Sequence, residues 1–137
     1  MQGLIPDPVL PLRPAYHKGY PFFMSTLGKG FIWYRQSLHY LKPKTTLSPA
    51  AKKHLKSMYE LLTARPGDRI HRCIYVHRAV ALAYLPNTDL FATEVDHVNG
   101  DKYDNRLCNL EWVTPQENIR RRSELRKARC ACATLMS

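Results

Sequence analysis

The sequence predicts an α+β fold: a strand, loop, strand, helix core in its second half, preceded by a small sheet and a helix. Three observations carry this. Glu94-Val95-Asp96-His97 is a short extended run stopped by Asn99-Gly100, a strong turn pair. Leu110-Glu111-Trp112-Val113 alternates apolar and polar residues, as a half-buried strand does. Thr114-Pro115-Gln116-Glu117 is a helix start, in which Thr114 caps, Pro115 suits the first helical position and Glu117 completes a capping box.

Taken in order, residues 1–15 carry Pro6, Pro8, Pro11 and Pro14 and read as an extended arm, because proline removes donors and blocks helix. Residues 16–68 read as a sheet-and-helix region. Aromatic, apolar and polar groups alternate from 20 to 41 around Leu27-Gly28-Lys29-Gly30. This predicts a hairpin or small sheet with Phe22, Phe23, Phe31, Trp33 and Tyr34 in the core. Ser48-Pro49 opens a helix whose Ala51, Leu55, Met58 and Leu62 share a face. Lys52, Lys53 and Lys56 lie on its solvated side, and Arg65-Pro66-Gly67-Asp68 ends it. That basic face either tracks a phosphate backbone, making the region a DNA-binding module, or only keeps the chain soluble.

Residues 69–129 read as the site-bearing domain. Arg69 to Val76 is a strand with Ile70, Ile74 and Val76 on one face. His77 to Tyr84 is a short helix with Val80, Ala83 and Tyr84 turned inward, and His77 is expected to be a hydrogen-bonded structural histidine. Residues 130–137 read as a flexible tail.

At 137 residues the chain can bury one modest core. The N-terminus has prolines where a secretory leader needs an apolar run, and no stretch is long enough to span a membrane, so a cytoplasmic location is expected. The net charge of +10 suits a polyanionic partner. Residues 1 to 88 hold thirteen Lys/Arg against three Asp/Glu, while residues 89 to 137 hold eight of each. Cys73, Cys108, Cys130 and Cys132 lack zinc-ribbon spacing and read as free thiols in a reducing compartment.

The chemistry can be assembled from residue types. Phosphodiester hydrolysis needs an activated water, charge neutralisation and a stabilised leaving oxygen. His97 suits the first task as a general base. Asp96 and Asn118 offer oxygen, which suits a hard divalent ion, Mg²⁺ or Mn²⁺. Adjacent strand residues point to opposite faces, so Asp96 and His97 can serve one site only where the strand ends or twists. In the last helix, Asn118, Arg121, Arg122 and Leu125 fall on one side. That helix either grips phosphates through Arg120, Arg121 and Arg122, with Lys102 and Arg106 of the loop beside it, or is a solvated helix with pairs such as Glu117–Arg121 and Arg120–Glu124.

The string Asp96-His97-x-Asn99-Gly100, Asp104-Asn105-Arg106, Asn109-Leu110-x-Trp112-Val113-Thr114 and Glu117-Asn118 resembles the HNH endonucleases of the ββα-metal superfamily, most of all the phage homing type. Val76-His77-Arg78-Ala79-Val80-Ala81 through Asn87 resembles the helical lead-in of that family, so the resemblance covers residues 76 to 118. It implies a ββα-metal core with Asp96 and Asn118 as metal ligands and His97 as general base. Asn109 takes the middle motif position, completing the catalytic set by tying down the loop that fixes the histidine. Asn105 is its rival for that position, and Asp104-Asn105-Arg106 is expected to fold the loop on itself. Gly19-Tyr20 and Ser25 to Lys29 resemble a small sheet module that precedes such cores, or form an ordinary hairpin. No helix-turn-helix repeat follows the core, so specificity is expected from the N-terminal half or a partner, or is low. The function expected is metal-dependent nicking of double-stranded DNA by a homing-type enzyme. The alternative is a nucleic-acid-binding or phage accessory protein on an inactive HNH fold.

Overall fold

The computed structural model describes residues 12–45, 59–65, 70 and 72–135. Two hairpins begin the fold: β1 (Arg13–His17), β2 (Tyr20–Met24), β3 (Gly30–Tyr34) and β4 (Ser37–Leu41) make an antiparallel four-stranded meander in sequence order. Lys18 and Gly19 join β1 to β2, and Arg35 and Gln36 join β3 to β4, each with positive φ. Two successive left-handed residues are the turn geometry whose twist matches paired strands. The predicted small sheet is therefore present, and it is larger than a hairpin. β1 takes up Arg13, Pro14 and Ala15 of the expected arm, and Ala15 is buried.

Phe22 and Phe31 are fully buried as expected, but Trp33 is 60% exposed. Gly30, Phe31 and Ile32 are buried in succession, so β3 is covered on both faces at its start and emerges into solvent by Trp33. A second sheet runs β5 (Lys44–Thr45), β6 (Glu60–Ala64), β7 (Arg72–Tyr75). The predicted helix from Ser48 lies outside the described residues except at its end, and there the expectation fails. Leu62 sits in β6, opposite Ile74 of β7, fully buried. Gly30 is the residue that lets β3 come close to it, because a Cβ there would collide with the Leu62 side chain. Ile74 and Val76 are core residues as predicted, while Ile70 is exposed.

β7 runs without a break into α1 (Val76–Tyr84). α1 touches β1, β2, β6, β7 and the last two strands, so it is the element around which the sheets assemble. Its Val76, Ala79, Val80 and Ala81 are buried, at roughly 1.5–3 kcal/mol for each larger side chain. The Tyr84 hydroxyl donates to the Met24 carbonyl at 2.8 Å, and the Trp112 indole donates to the Leu85 carbonyl at 3.1 Å. One cluster joins Phe22, Met24, Leu62, Ile74, Val80, Val95 and Leu110. Hydrophobic packing thus runs straight across the boundary expected at residue 68. Among the described residues no helix is long and apolar enough to cross a membrane.

The core unit follows as predicted: β8 (Glu94–His97) pairs antiparallel with β9 (Leu110–Val113), and α2 (Pro115–Leu135) leaves directly from β9. The capping box closes in both directions, Glu117 N–H to Thr114 Oγ1 and Thr114 N–H to Glu117 Oε2, each at 3.2 Å. α2 continues to Leu135, through most of the segment expected to be a flexible tail.

Candidate active site

The site grows from β8. Along this strand Val95 and His97 are buried, while Glu94 and Asp96 take the other face, toward α2. Strand alternation therefore splits the neighbours Asp96 and His97, as period-two geometry requires.

On the inner face, His97 is almost wholly buried and its Nε2 lies 2.8 Å from Asn105 Oδ1. The Asn105 amide nitrogen donates to Glu60 Oε2 at 2.9 Å, so a carboxylate at the start of β6 ends the chain of contacts. The rings of Tyr59 and His97 stack at 6.2 Å and 28°, and His77 lies 5.0 Å from His97. His77 is buried as a structural histidine should be, but among the described residues its Nδ1 has no hydrogen-bond partner, contrary to expectation; the ring contacts Tyr59 and Tyr75. Burial, with His97 and Arg78 nearby, lowers its pKa to about 3, so the ring is neutral.

The loop between β8 and β9 is tied by short polar side chains, as expected of Asn, Asp and Gly. Asn109 Oδ1 accepts from the Asn99 N–H at 3.0 Å, and its amide nitrogen donates to Asn99 Oδ1 and to the Asp104 carbonyl, both at 2.9 Å. Asp104 and Arg106 form a bidentate pair with both contacts at 2.8 Å. The Arg106 hydrogen bond holds the Asp104 carboxyl down at about 2. Asp104 and Arg106 thus fold the loop on itself, while Asn105 between them turns inward to the histidine. The turn after β2 supports this loop from behind: Leu107 N–H donates to the Thr26 carbonyl at 2.8 Å. A Cβ on Gly28 would meet Asn105 O at 2.9 Å.

On the outer face, Asn118 is buried in the first turn of α2 and donates its amide nitrogen to Glu94. Its amide oxygen is thereby left for another ligand. One turn on, Arg121 meets Asp96 at 3.2 Å and Glu111, the cross-strand partner of Asp96, at 3.1 Å. The two carboxylates push the guanidinium pKa further up, Glu111 contributing first. The Glu117–Arg121 pair of the solvated-helix reading is not what Arg121 makes, and Glu117 serves the cap. Arg120 meets Glu124 at 3.9 Å as expected, and both are exposed. Arg122 lines an open cleft of about 370 Å³ with Tyr59, His77, Glu94 and Asn118. Lys102 lies over the Tyr59 ring at 4.8 Å.

Among the described residues no three His, Cys, Asp or Glu side chains gather as a ready-made metal cage. Glu94, Asp96 and Asn118 nevertheless offer only oxygen, and Arg121 already stands on Asp96 as a cation. That donor set fits a hard divalent ion whose shell water and phosphate complete. Glu94 was legible from alternation with Asp96; Tyr59 and Glu60 carried no local signal.

A histidine and a carboxylate on a β strand, a pinned loop, a second strand and a helix with an amide in its first turn define the ββα-metal class. Residues 74–120 match the family model described as HNH endonuclease. The resemblance read from the sequence is thus matched by that family's model over this stretch of the chain. Two uncharacterized HNH endonucleases of Acanthamoeba polyphaga mimivirus are similar. One is 32% identical over 57% of this chain and 24% of its own length; the other is 53% identical over 32% and 11%. The chain spans about a quarter or less of these curated relatives. A solved structure of DNA binding and cleavage by the HNH homing endonuclease I-HmuI shares the fold, with TM-score 0.63 and 24% identity, over 84% of this chain and 59% of that one.

Proposed function

We propose that this chain is a divalent-metal-dependent endonuclease of homing type that nicks double-stranded DNA. The observation that supports it most is where β8 stops. His97, a buried and oriented imidazole, is its last residue before the turn closed by Gly100 N–H to the His97 carbonyl, and the oxygen donors beside α2 lie one residue back. His97 takes the proton of the attacking water. Asp96 and Asn118 hold Mg²⁺ or Mn²⁺, with Glu94 orienting the Asn118 amide. The ion, when bound, supplies charge stabilisation for the phosphate and the leaving oxygen. Asn109 keeps the turn closed behind His97. Arg120, Arg122 and Lys102 meet phosphates, whereas Arg106, already paired, shapes the loop. The exposed thiols of Cys73, Cys108 and Cys130 fit work in a reducing cytoplasm.

The test is nicking of supercoiled plasmid with Mg²⁺ or Mn²⁺, with EDTA, and with His97→Ala. Wild type should open the circle only with metal. His97→Ala should lose roughly 10²–10⁴ in rate while still binding DNA. A wild-type chain that binds DNA but cuts it under none of these conditions is the non-cutting module instead.

A further inference from the structure

We propose that Glu60 is a positioning residue for His97: through Asn105 it fixes the imidazole as the Nε2–H tautomer and leaves Nδ1 as the basic nitrogen. The argument rests on direction. An ionised carboxylate only accepts hydrogen bonds, whereas an amide has one donating and one accepting end. With Glu60 Oε2 at 2.9 Å, the end of Asn105 that faces it must be the NH₂. The carbonyl oxygen then faces His97 Nε2 at 2.8 Å and can only accept, so Nε2 must carry the proton. One carboxylate therefore sets the sense of both contacts.

Asn105 has little freedom to turn away. It is buried, and its backbone lies against Gly28, where even a methyl group would collide. Tyr59, the residue before Glu60, stacks on the same imidazole at 6.2 Å. The start of β6 thus delivers a ring to the face of His97 and a charge to the far end of its hydrogen-bond chain. Both residues lie upstream of the stretch that matches the family model. A triad works by the same logic: an acceptor behind the imidazole selects the tautomer that can act as base.

The kinetic part rests on the nuclease reading; the tautomer does not. In the full-length chain with ¹⁵N-labelled histidine at alkaline pH, long-range N–H correlations report the tautomer of each ring, with His97→Ala assigning the signal. Wild-type His97 should be Nε2–H. Glu60→Lys replaces an acceptor by a donor, reverses the Asn105 amide and should move His97 to Nδ1–H. Nicking kcat should then fall about 10–100-fold, the usual range for an outer-shell partner, with a smaller change in KM for plasmid. Glu60→Gln can still accept and should keep both tautomer and kcat near wild type. A wild-type ring in the Nδ1–H form, which needs no variant to fold, overturns the proposal. So does an Nε2–H ring in Glu60→Lys. If the chain cuts no DNA at all, the tautomer result still stands by itself.

Discussion

Arg121 reaches across from α2 to Asp96 at 3.2 Å, and the same guanidinium nitrogen holds Glu111 at 3.1 Å. An internal cation thus occupies the carboxylate assigned to the metal. Removing it should make the free protein a better metal binder. A partly exposed pair of this kind is worth about 0.2–1 kcal/mol. Arg121→Ala should therefore tighten Mn²⁺ binding by up to about fivefold, measured by calorimetry without DNA. Unchanged Mn²⁺ affinity would show that the ion and Arg121 do not compete for Asp96.

The phosphate grip should fall to the neighbours of Arg121. Arg122 lines the open cleft, and Arg120 meets Glu124 across a long contact, both side chains exposed. Each phosphate contact contributes roughly 0.9 to the slope of log K against log salt. Arg120→Ala with Arg122→Ala should flatten that slope by about 2, and Arg121→Ala by clearly less. Equal loss from all three would mean that Arg121 leaves its carboxylates to reach DNA.

His77 makes stability depend on acid. The folded ring resists protonation down to about 3, against an ordinary value of 6.5, so below 6.5 the unfolded chain takes the proton first. Its contribution is complete above 6.5 and declines as pH falls, by up to about 1.4 kcal/mol per pH unit, until the folded ring protonates. His77→Phe keeps the ring contacts with Tyr59 and Tyr75 and should flatten this part of the profile in urea unfolding. A slope identical to wild type would place the acid sensitivity elsewhere.

Gly28 and Gly19 make a matched pair. Both have positive φ, +82° and +78°, but a Cβ on Gly19 meets nothing within 4 Å, while one on Gly28 strikes Asn105. Left-handed backbone alone costs a non-glycine residue about 1 kcal/mol or more. Gly28→Ala should exceed Gly19→Ala in lost stability, reaching about 2–3 kcal/mol, and should also lower nicking by disturbing His97. Equal losses would show that the turn does not bear on the loop.

What the sequence revealed was local. The capping box, the Asn99-Gly100 turn and the alternation of β8 and β9 are each decided by neighbours in the chain, and the structure keeps them. Leu62 shows where local rules divide. A spacing of four from Met58 satisfies both a helical turn and strand alternation, and pairing with β7 decided for the strand. The partners of Arg121 are not local: Glu117, four residues before it, closes its own helix start, and Arg121 meets Asp96 and Glu111 of the two strands. Glu60 and Asn105 are 45 residues apart and obey no period, so nothing short of tertiary packing could join them.

The contacts of Thr26, Gly28 and Glu60 with the β8–β9 loop also limit how this fold can be shuffled. Residues 74–120 look like a transplantable cassette, but three of the parts that mould its loop lie before residue 61. A graft of the cassette alone would arrive without the acceptor for Leu107, the gap that admits Asn105, and the charge behind it. Recombination that respects the active site would have to carry the upstream sheets as part of the inherited unit.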